Sequence, residues 1–252
     1  MKLQYASDLH LEFPQNKKFL KSNPIQPVGD VLLLAGDIML FAQMDKHADF
    51  FSYLSDNFKT TYWLPGNHEY YHSDIKERSG HLNEKIRDNV FLVNNTTIQI
   101  EKVRFIFSTL WTKISPVNQF EISQRLSDFH TIKVGGRGLT PEHYNFLHEQ
   151  CISFLKEEFS KEKSGKTIII THHVPTFLNY PEKFKGDALN EAFGIELFDL
   201  IEAHGFDYWI YGHSHHNTID FEIGNTKMRT NQMGYVEFNE QKGFNEGEII
   251  EI

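Results

Sequence analysis

The sequence predicts an α/β protein with two sheets at its core and helices packed outside them. Three observations predict it. Short runs rich in Val, Ile, Leu, Phe and Tyr, bounded by Gly, Asp, Asn or Pro, recur along the chain at strand length. Between them lie stretches with apolar residues three and four apart. Toward the C-terminus the pattern changes to alternation around a Gly-Asn pair, the signal of antiparallel hairpins.

In chain order, Lys2–Ser7, Asp30–Ala35, Thr60–Leu64, Val103–Thr109, Lys166–Thr171 and Asp207–Tyr211 read as buried strands. The spacing predicts helices over Ala42–Phe58, Asp74–Asp88, Pro141–Ser160 and Phe193–His204. Thr140 is placed to cap the third, with Pro141 at its first position and Glu142 in its first turn. The fourth stops before Gly205, which suits the left-handed residue after a helix. Residues 217–238 alternate and read as hairpins, and 164–166 reads as a loop. With no repeat and no low-complexity linker, residues 1–252 are expected to form a single domain. Lys113–Gly138 and Pro175–Asn190 fit the strand–helix rhythm poorly, as lids and binding loops do.

The chain has 252 residues, 40% hydrophobic and 23% charged, which suits a globular protein with a substantial core. Its apolar runs are too short to span a bilayer. The start "MKLQYASDLHLEF" lacks the apolar stretch of a signal peptide. Cys151 is the only cysteine, so no intramolecular disulfide can form and a cytoplasmic location is expected. A net charge of −9 weighs against binding nucleic acid or an anionic membrane, although bound metal would make a local cationic site.

The 14 histidines matter by placement. Polar residues follow the strands: Asp8 and His10, then Asp37, then Asn67, His68 and Glu69, then His172 and His173, then His213 and His215. Parallel strands would bring these ends to one edge, where ligands gather in open α/β sheets. Asp8/His10 and His213/His215 are i, i+2 pairs, which point to one side in an extended segment. The donors are oxygen and nitrogen without thiolate, a set that suits Mn²⁺, Fe²⁺/Fe³⁺ or Zn²⁺. Seven such groups exceed one tetrahedral ion and suffice for two sharing a carboxylate.

The strings "DLH", "GD", "GNHE", "THH" and "GHSH", in this order over roughly residues 3–216, resemble the calcineurin-like metallophosphoesterase superfamily. The resemblance implies a four-layer αββα sandwich of two mixed sheets flanked by helices. It implies a dinuclear phosphoesterase that cleaves a small-molecule phosphomonoester or phosphodiester through a hydroxide bridging two metals. Asp8, His10 and His215 would hold one ion. Asn67, His172 and His213 would hold the other, with Asp37 shared. His68 would face the phosphate and its leaving oxygen. Glu69 would orient an imidazole or a turn amide, with Gly66 allowing the tight turn there. His173 would touch the phosphate or support a ligand.

Plainer readings stand beside these. Asp8 and Asp37 could cap turns, and Asn67 could be a turn residue. His216 points away from the His213/His215 side and reads as surface. His47, His72, His81, His130, His143, His148 and His204 read as ordinary. Asp128, Arg125 and Arg137 could reach the substrate, but read rather as solvated charges. Phe177, Tyr180, Lys183, Phe184 and Lys185 admit either a substrate wall or a surface loop. A non-catalytic interaction module on the same fold would be signalled by loss of His68 or a ligand, and both are present. A nuclease lacks support from the acidic charge. Hydrolases of lipid-precursor diphosphates carry Arg-Asp after the Asn, where this chain has His68-Glu69.

Overall fold

A computed structural model describes residues 1–163 and 165–252. Ser164, the first residue of the loop expected over 164–166, lies outside the described residues. The strands are β1 (Lys2–Ala6), β2 (Val31–Ala35), β3 (Thr60–Leu64), β4 (Leu82–Arg87), β5 (Val90–Asn94), β6 (Thr96–Ile100), β7 (Val103–Ser108), β8 (Lys133–Val134), β9 (Arg137–Gly138), β10 (Lys166–Thr171), β11 (Tyr208–Ile210), β12 (Phe221–Ile223), β13 (Thr226–Arg229) and β14 (Ile249–Glu251). The α-helices are α1 (Pro14–Ser22), α2 (Ala48–Asn57), α3 (Gln119–Arg125), α4 (Asp128–Thr131), α5 (Pro141–Ser160), α6 (Asn190–Phe193) and α7 (Phe198–His204). They build two mixed six-stranded sheets, ordered β14-β1-β2-β3-β5-β4 and β12-β13-β11-β10-β7-β6.

Side-chain alternation along each strand separates the layers. Leu33 and Ala35 of β2, Phe105 and Phe107 of β7 and Ile168 and Ile170 of β10 pack between the sheets. Their neighbours face outward. Leu32, Leu34 and Trp63 meet Leu20 of α1 and Phe51 and Leu54 of α2. Ile106, Ile169 and Trp209 meet Leu155 and Phe159 of α5 and Ile201 of α7. Because both faces of the central strands are covered, the strands are nearly continuous apolar runs. The helix–sheet–sheet–helix sandwich expected from the resemblance is the architecture found.

Several local expectations change. Asp74–Asp88 is not a helix: a 3₁₀ turn at Ile75–Glu77 is followed by the edge strand β4. Leu82 and Ile86 are four apart, which mimics a helix. Burial instead alternates residue by residue along β4, and Gly80 sits at φ +69° just before it. Ala42–Phe58 begins as a 3₁₀ helix over Phe41–His47 and becomes α-helical only at Ala48. Phe193–His204 is broken because Gly194 is extended and pairs with Val174, so α7 starts at Phe198. Gly205 does adopt φ +59° at its end, and Thr140 Oγ1 caps α5 by accepting from His143 N. The C-terminal stretch holds one hairpin, β12–β13, turning at Gly224-Asn225. Beyond it the chain returns to the end of β1: Met233 N donates to Ser7 O at 3.1 Å and Gly234 N to Asp8 O at 3.0 Å. Among the described residues, no helix is long and apolar enough to cross a membrane.

Candidate metal centre

Strands β1, β2 and β3 run parallel, as do β7, β10, β11 and β13, and the ends of strands from both sheets meet at one rim. Asp8, His10, Asp37 and His215 bring ligand atoms within 4.8 Å of one another, and so do Asp37, His172 and His213. Asp37 belongs to both groups. Asn67 Oδ1 lies 3.2 Å from His172 Nε2 and completes the second.

The i, i+2 pairs converge for a reason other than extended backbone. Asp8 (φ 56°), His10 (47°), Asp37 (55°), His213 (73°) and His215 (48°) all occupy the left-handed region. Side chains with a Cβ pay conformational strain there, and such strain collects at functional sites. Surrounding hydrogen bonds hold the turns: Asp8 N donates to Gly36 O at 2.9 Å, His10 N to Asp37 O at 2.9 Å, and His213 N to Asp8 Oδ1 at 3.0 Å.

The tautomers follow from the outer partners of each ring. His10 Nδ1–H donates to Glu12 Oε1 at 3.0 Å, His215 Nδ1–H to Glu240 Oε2 at 2.8 Å, and His172 Nδ1–H to Ala35 O at 3.0 Å. In a neutral ring each Nε2 carries the lone pair; burial opposes the charged forms, but Asp37 raises His172 to about 9 and Asp8 raises His215 to about 10, so positive charge is favoured at these nitrogens. Yet His10 Nε2 and His215 Nε2 face each other at 2.9 Å, and His172 Nε2 faces His213 Nδ1 at 3.0 Å. Asp37 Oδ2 stands 3.7 Å from His10 Nε2 and 3.4 Å from His172 Nε2. Nitrogens and carboxylate oxygens converging this closely in a buried site are a set of donors that a shared cation satisfies. The residues present thus fit metal ions, and their N and O donors suit borderline divalent metals.

Glycines permit the approach. A Cβ on Gly66 would stand 2.2 Å from Asp37 Oδ1 and 2.6 Å from His172 Nε2. Gly66 is there for space rather than for the unusual turn geometry expected of it, since its φ is not left-handed. Gly36 needs both, with φ +92° and a Cβ position 2.2 Å from His172 Nδ1.

Glu69 orients turn amides, not an imidazole. Its carboxylate accepts from Gly66 N (2.7 Å), Asp37 N (3.0 Å), Ile38 N (2.8 Å) and the Trp63 indole N–H (2.9 Å). Burial and Asp37 push this carboxyl up to about 8. The four N–H donors fill its acceptor sites and call for the ionised form. His173 is fully buried, donates Nδ1–H to Thr109 O at 3.0 Å and packs its ring 4.3 Å from that of His213. Burial and then His172 hold it down at about 3.

His68 lies at the open side of the cluster, its side chain 12% exposed. Its Nδ1–H donates to Glu12 Oε1 at 3.0 Å, its ring stacks on Tyr71 at 4.1 Å, and its Nε2 is 3.3 Å from the Tyr235 hydroxyl. Burial works against its charged form, but Asp37 and Glu12 outweigh this and raise its pKa above the ordinary value. Burial likewise opposes an ionised Glu12, and the two imidazole N–H groups overcome it, holding the carboxyl at about 2.

Sequence reasoning missed Glu12, Glu240 and Tyr235. It also placed Asp128 wrongly: the carboxylate is buried, accepting from Asn67 Nδ2 at 2.9 Å and Tyr71 OH at 2.7 Å. The bond fixes the amide so that Oδ1 turns toward His172. Arg125 does pair at the surface, with Asp187 at 3.0 Å, and Arg137 and His216 are exposed. His47 and His148, read as ordinary, are buried. Tyr180 is buried against Phe177 and Phe184 and joins the apolar cluster of Val174, Trp209 and Tyr211, so that loop packs onto the core.

Comparison with known proteins agrees with this geometry. The chain is 31% identical over 276 residues to "Uncharacterized protein L509" of Acanthamoeba polyphaga mimivirus, covering 99% of this chain and 96% of the relative. Its fold is similar to that of the phosphopantetheinyl hydrolase PptH of Mycobacterium tuberculosis (TM-score 0.72, 14% identity, 99% of this chain and 95% of that one). It is also similar to a dimetal phosphatase from Danio rerio (TM-score 0.53, 12% identity, 92% and 87%). At these identities the two structures speak to the fold alone. The calcineurin-like phosphoesterase profile matches residues 1–217, most of the chain and every strand-end motif in it. The chain belongs to the calcineurin-like phosphoesterase family.

Proposed function

We propose that this chain is a dinuclear metal-dependent phosphoesterase acting on a small phosphate monoester or diester. The observation that carries the reading is the pair of facing imidazoles on either side of Asp37, at 2.9 and 3.0 Å. Asp8, His10 and His215 would hold one ion, Asn67, His172 and His213 the other, and Asp37 both. Bound Mn²⁺, Fe or Zn²⁺ would supply Lewis-acid charge for the phosphoryl oxygens and activate water near neutral pH.

The protein's own groups do the rest. Glu12 holds His68 as the imidazolium, with Nε2 beside the Tyr235 hydroxyl and placed to give its proton to the departing oxygen. Asp128, Glu240 and Ala35 O fix the orientation of Asn67, His215 and His172. Residues 1–252 are read as one domain. Buried Cys151 is a free thiol, which fits a reducing compartment such as the cytoplasm.

The test is to strip the protein of metal, reload it with Mn²⁺, and assay p-nitrophenyl phosphate beside bis-p-nitrophenyl phosphate. Turnover that disappears in Asp37→Ala and falls at least ~100-fold in His68→Ala supports the reading. Diester turnover identifies a phosphodiesterase, and monoester turnover alone a phosphatase. A stripped protein that takes up no metal sinks it.

A further inference from the structure

The metal cluster opens where His68 and His215 are exposed, at 12% and 11% of their side chains, while Asp8 and His10 behind them are closed off. Aromatic rings line that opening. Tyr235 lies 4.4 Å from the His215 ring and 4.7 Å from the His10 ring, with its hydroxyl on His68 Nε2. Phe13 meets Tyr235 edge-on at 5.3 Å and 83°, and Phe238 meets it at 6.1 Å and 80°. Phe13 is 37% exposed and Phe238 68% exposed, so both present apolar surface to solvent beside a charged centre. Neither is needed to fill the core. They come from separate parts of the chain, the turn after "DLHLE" and the 3₁₀ turn Val236–Phe238.

We infer that Phe13, Tyr235 and Phe238 form a subsite that takes a planar aromatic group on the alcohol side of the phosphate ester. The inference rests on the phosphoesterase reading and adds a substrate class to it. Its position gives the direction. His68 Nε2 marks where the leaving oxygen sits, and Tyr235 adjoins that nitrogen, so a group attached to this oxygen lands on the aromatic wall. Phe13 and Phe238 keep exposed ring surface beside Tyr235, against which an incoming ring can stack or tilt at the ~4.5–7 Å centroid spacing such pairs prefer.

The experiment compares binding, not turnover. Phenylphosphonate and methylphosphonate share the phosphonate head and differ in the group the wall would hold. Both are titrated by calorimetry into the Mn²⁺-loaded protein, and into Phe13→Ala and Phe238→Ala, which alter exposed side chains and are checked for native thermal melts. The expected result is a phenyl-over-methyl preference of about tenfold or more, reduced severalfold in each variant. Equal affinities in the unmodified protein, or a preference that survives both substitutions, overturn the subsite and leave the phosphoesterase reading standing. If metal binds but neither phosphonate does, the phosphate-site reading fails and the subsite with it.

Discussion

Glu12→Gln isolates the charge of one carboxylate that serves two imidazoles. Glu12 Oε1 accepts from His10 Nδ1 and His68 Nδ1, each at 3.0 Å, so glutamine in the same rotamer keeps an acceptor there and loses the charge. A hydrogen bond to a charged group contributes about 1.5–3 kcal/mol against about 1 for a neutral pair, so each imidazole loses roughly 0.5–2 kcal/mol of support. At 1.4 kcal/mol per decade this is roughly 2–30-fold on each function. It approaches the 10–100-fold that partners behind metal-ligating histidines typically contribute. Through His10 the loss should weaken metal binding, read by calorimetric titration of the stripped protein with Mn²⁺. Through His68 it should lower kcat on p-nitrophenyl esters at saturating metal. Both should fall together, and the metal-free protein should melt at a lower temperature because it loses the same hydrogen-bond support. If metal affinity and kcat both equal those of the unmodified protein, Glu12 does not position these rings and the account of the site is wrong.

Two other perturbations test separate parts of the structure. Gly66→Ala would place a methyl 2.2 Å from Asp37 Oδ1 and 2.6 Å from His172 Nε2, so both side chains must move. We expect about 1–3 kcal/mol of lost stability and a metal content below that of the unmodified protein by elemental analysis; full loading at an unchanged melting temperature would contradict the packing. His148 is buried with Nδ1–H donating to Trp111 O at 2.8 Å, and burial lowers its pKa. A lowered folded-state pKa gives stability that is complete above the unfolded value, about 6.5, and is lost as pH falls through the folded value, at up to about 1.4 kcal/mol per pH unit. Urea unfolding between pH 7 and pH 5 should show a shallower loss in His148→Gln than in the unmodified protein, and identical slopes would remove His148 from the acid response.

The sequence by itself determined the strands that carry the site and the order of polar residues beyond their ends. Buried strands must be apolar, so "VLLLA" and "TIIIT" stand out, and Asp, Asn or His after five such runs in turn is more than turn capping requires. The edge strand β4 was misread because its side chains are only half buried and its apolar spacing also fits a helix. Only the tertiary structure decided the partners that orient the candidate metal-site side chains. Asp128 meets Asn67 from 61 residues away, Glu12 meets His68 from 56, and Tyr235 meets His68 from 167. A lone carboxylate or phenol has no local pattern to mark it, because its role depends on what the fold brings to it. The left-handed backbone at Asp8, His10, Asp37, His213 and His215 was equally hidden, since Asp and His tolerate it without requiring it and hydrogen bonds from distant turns hold it.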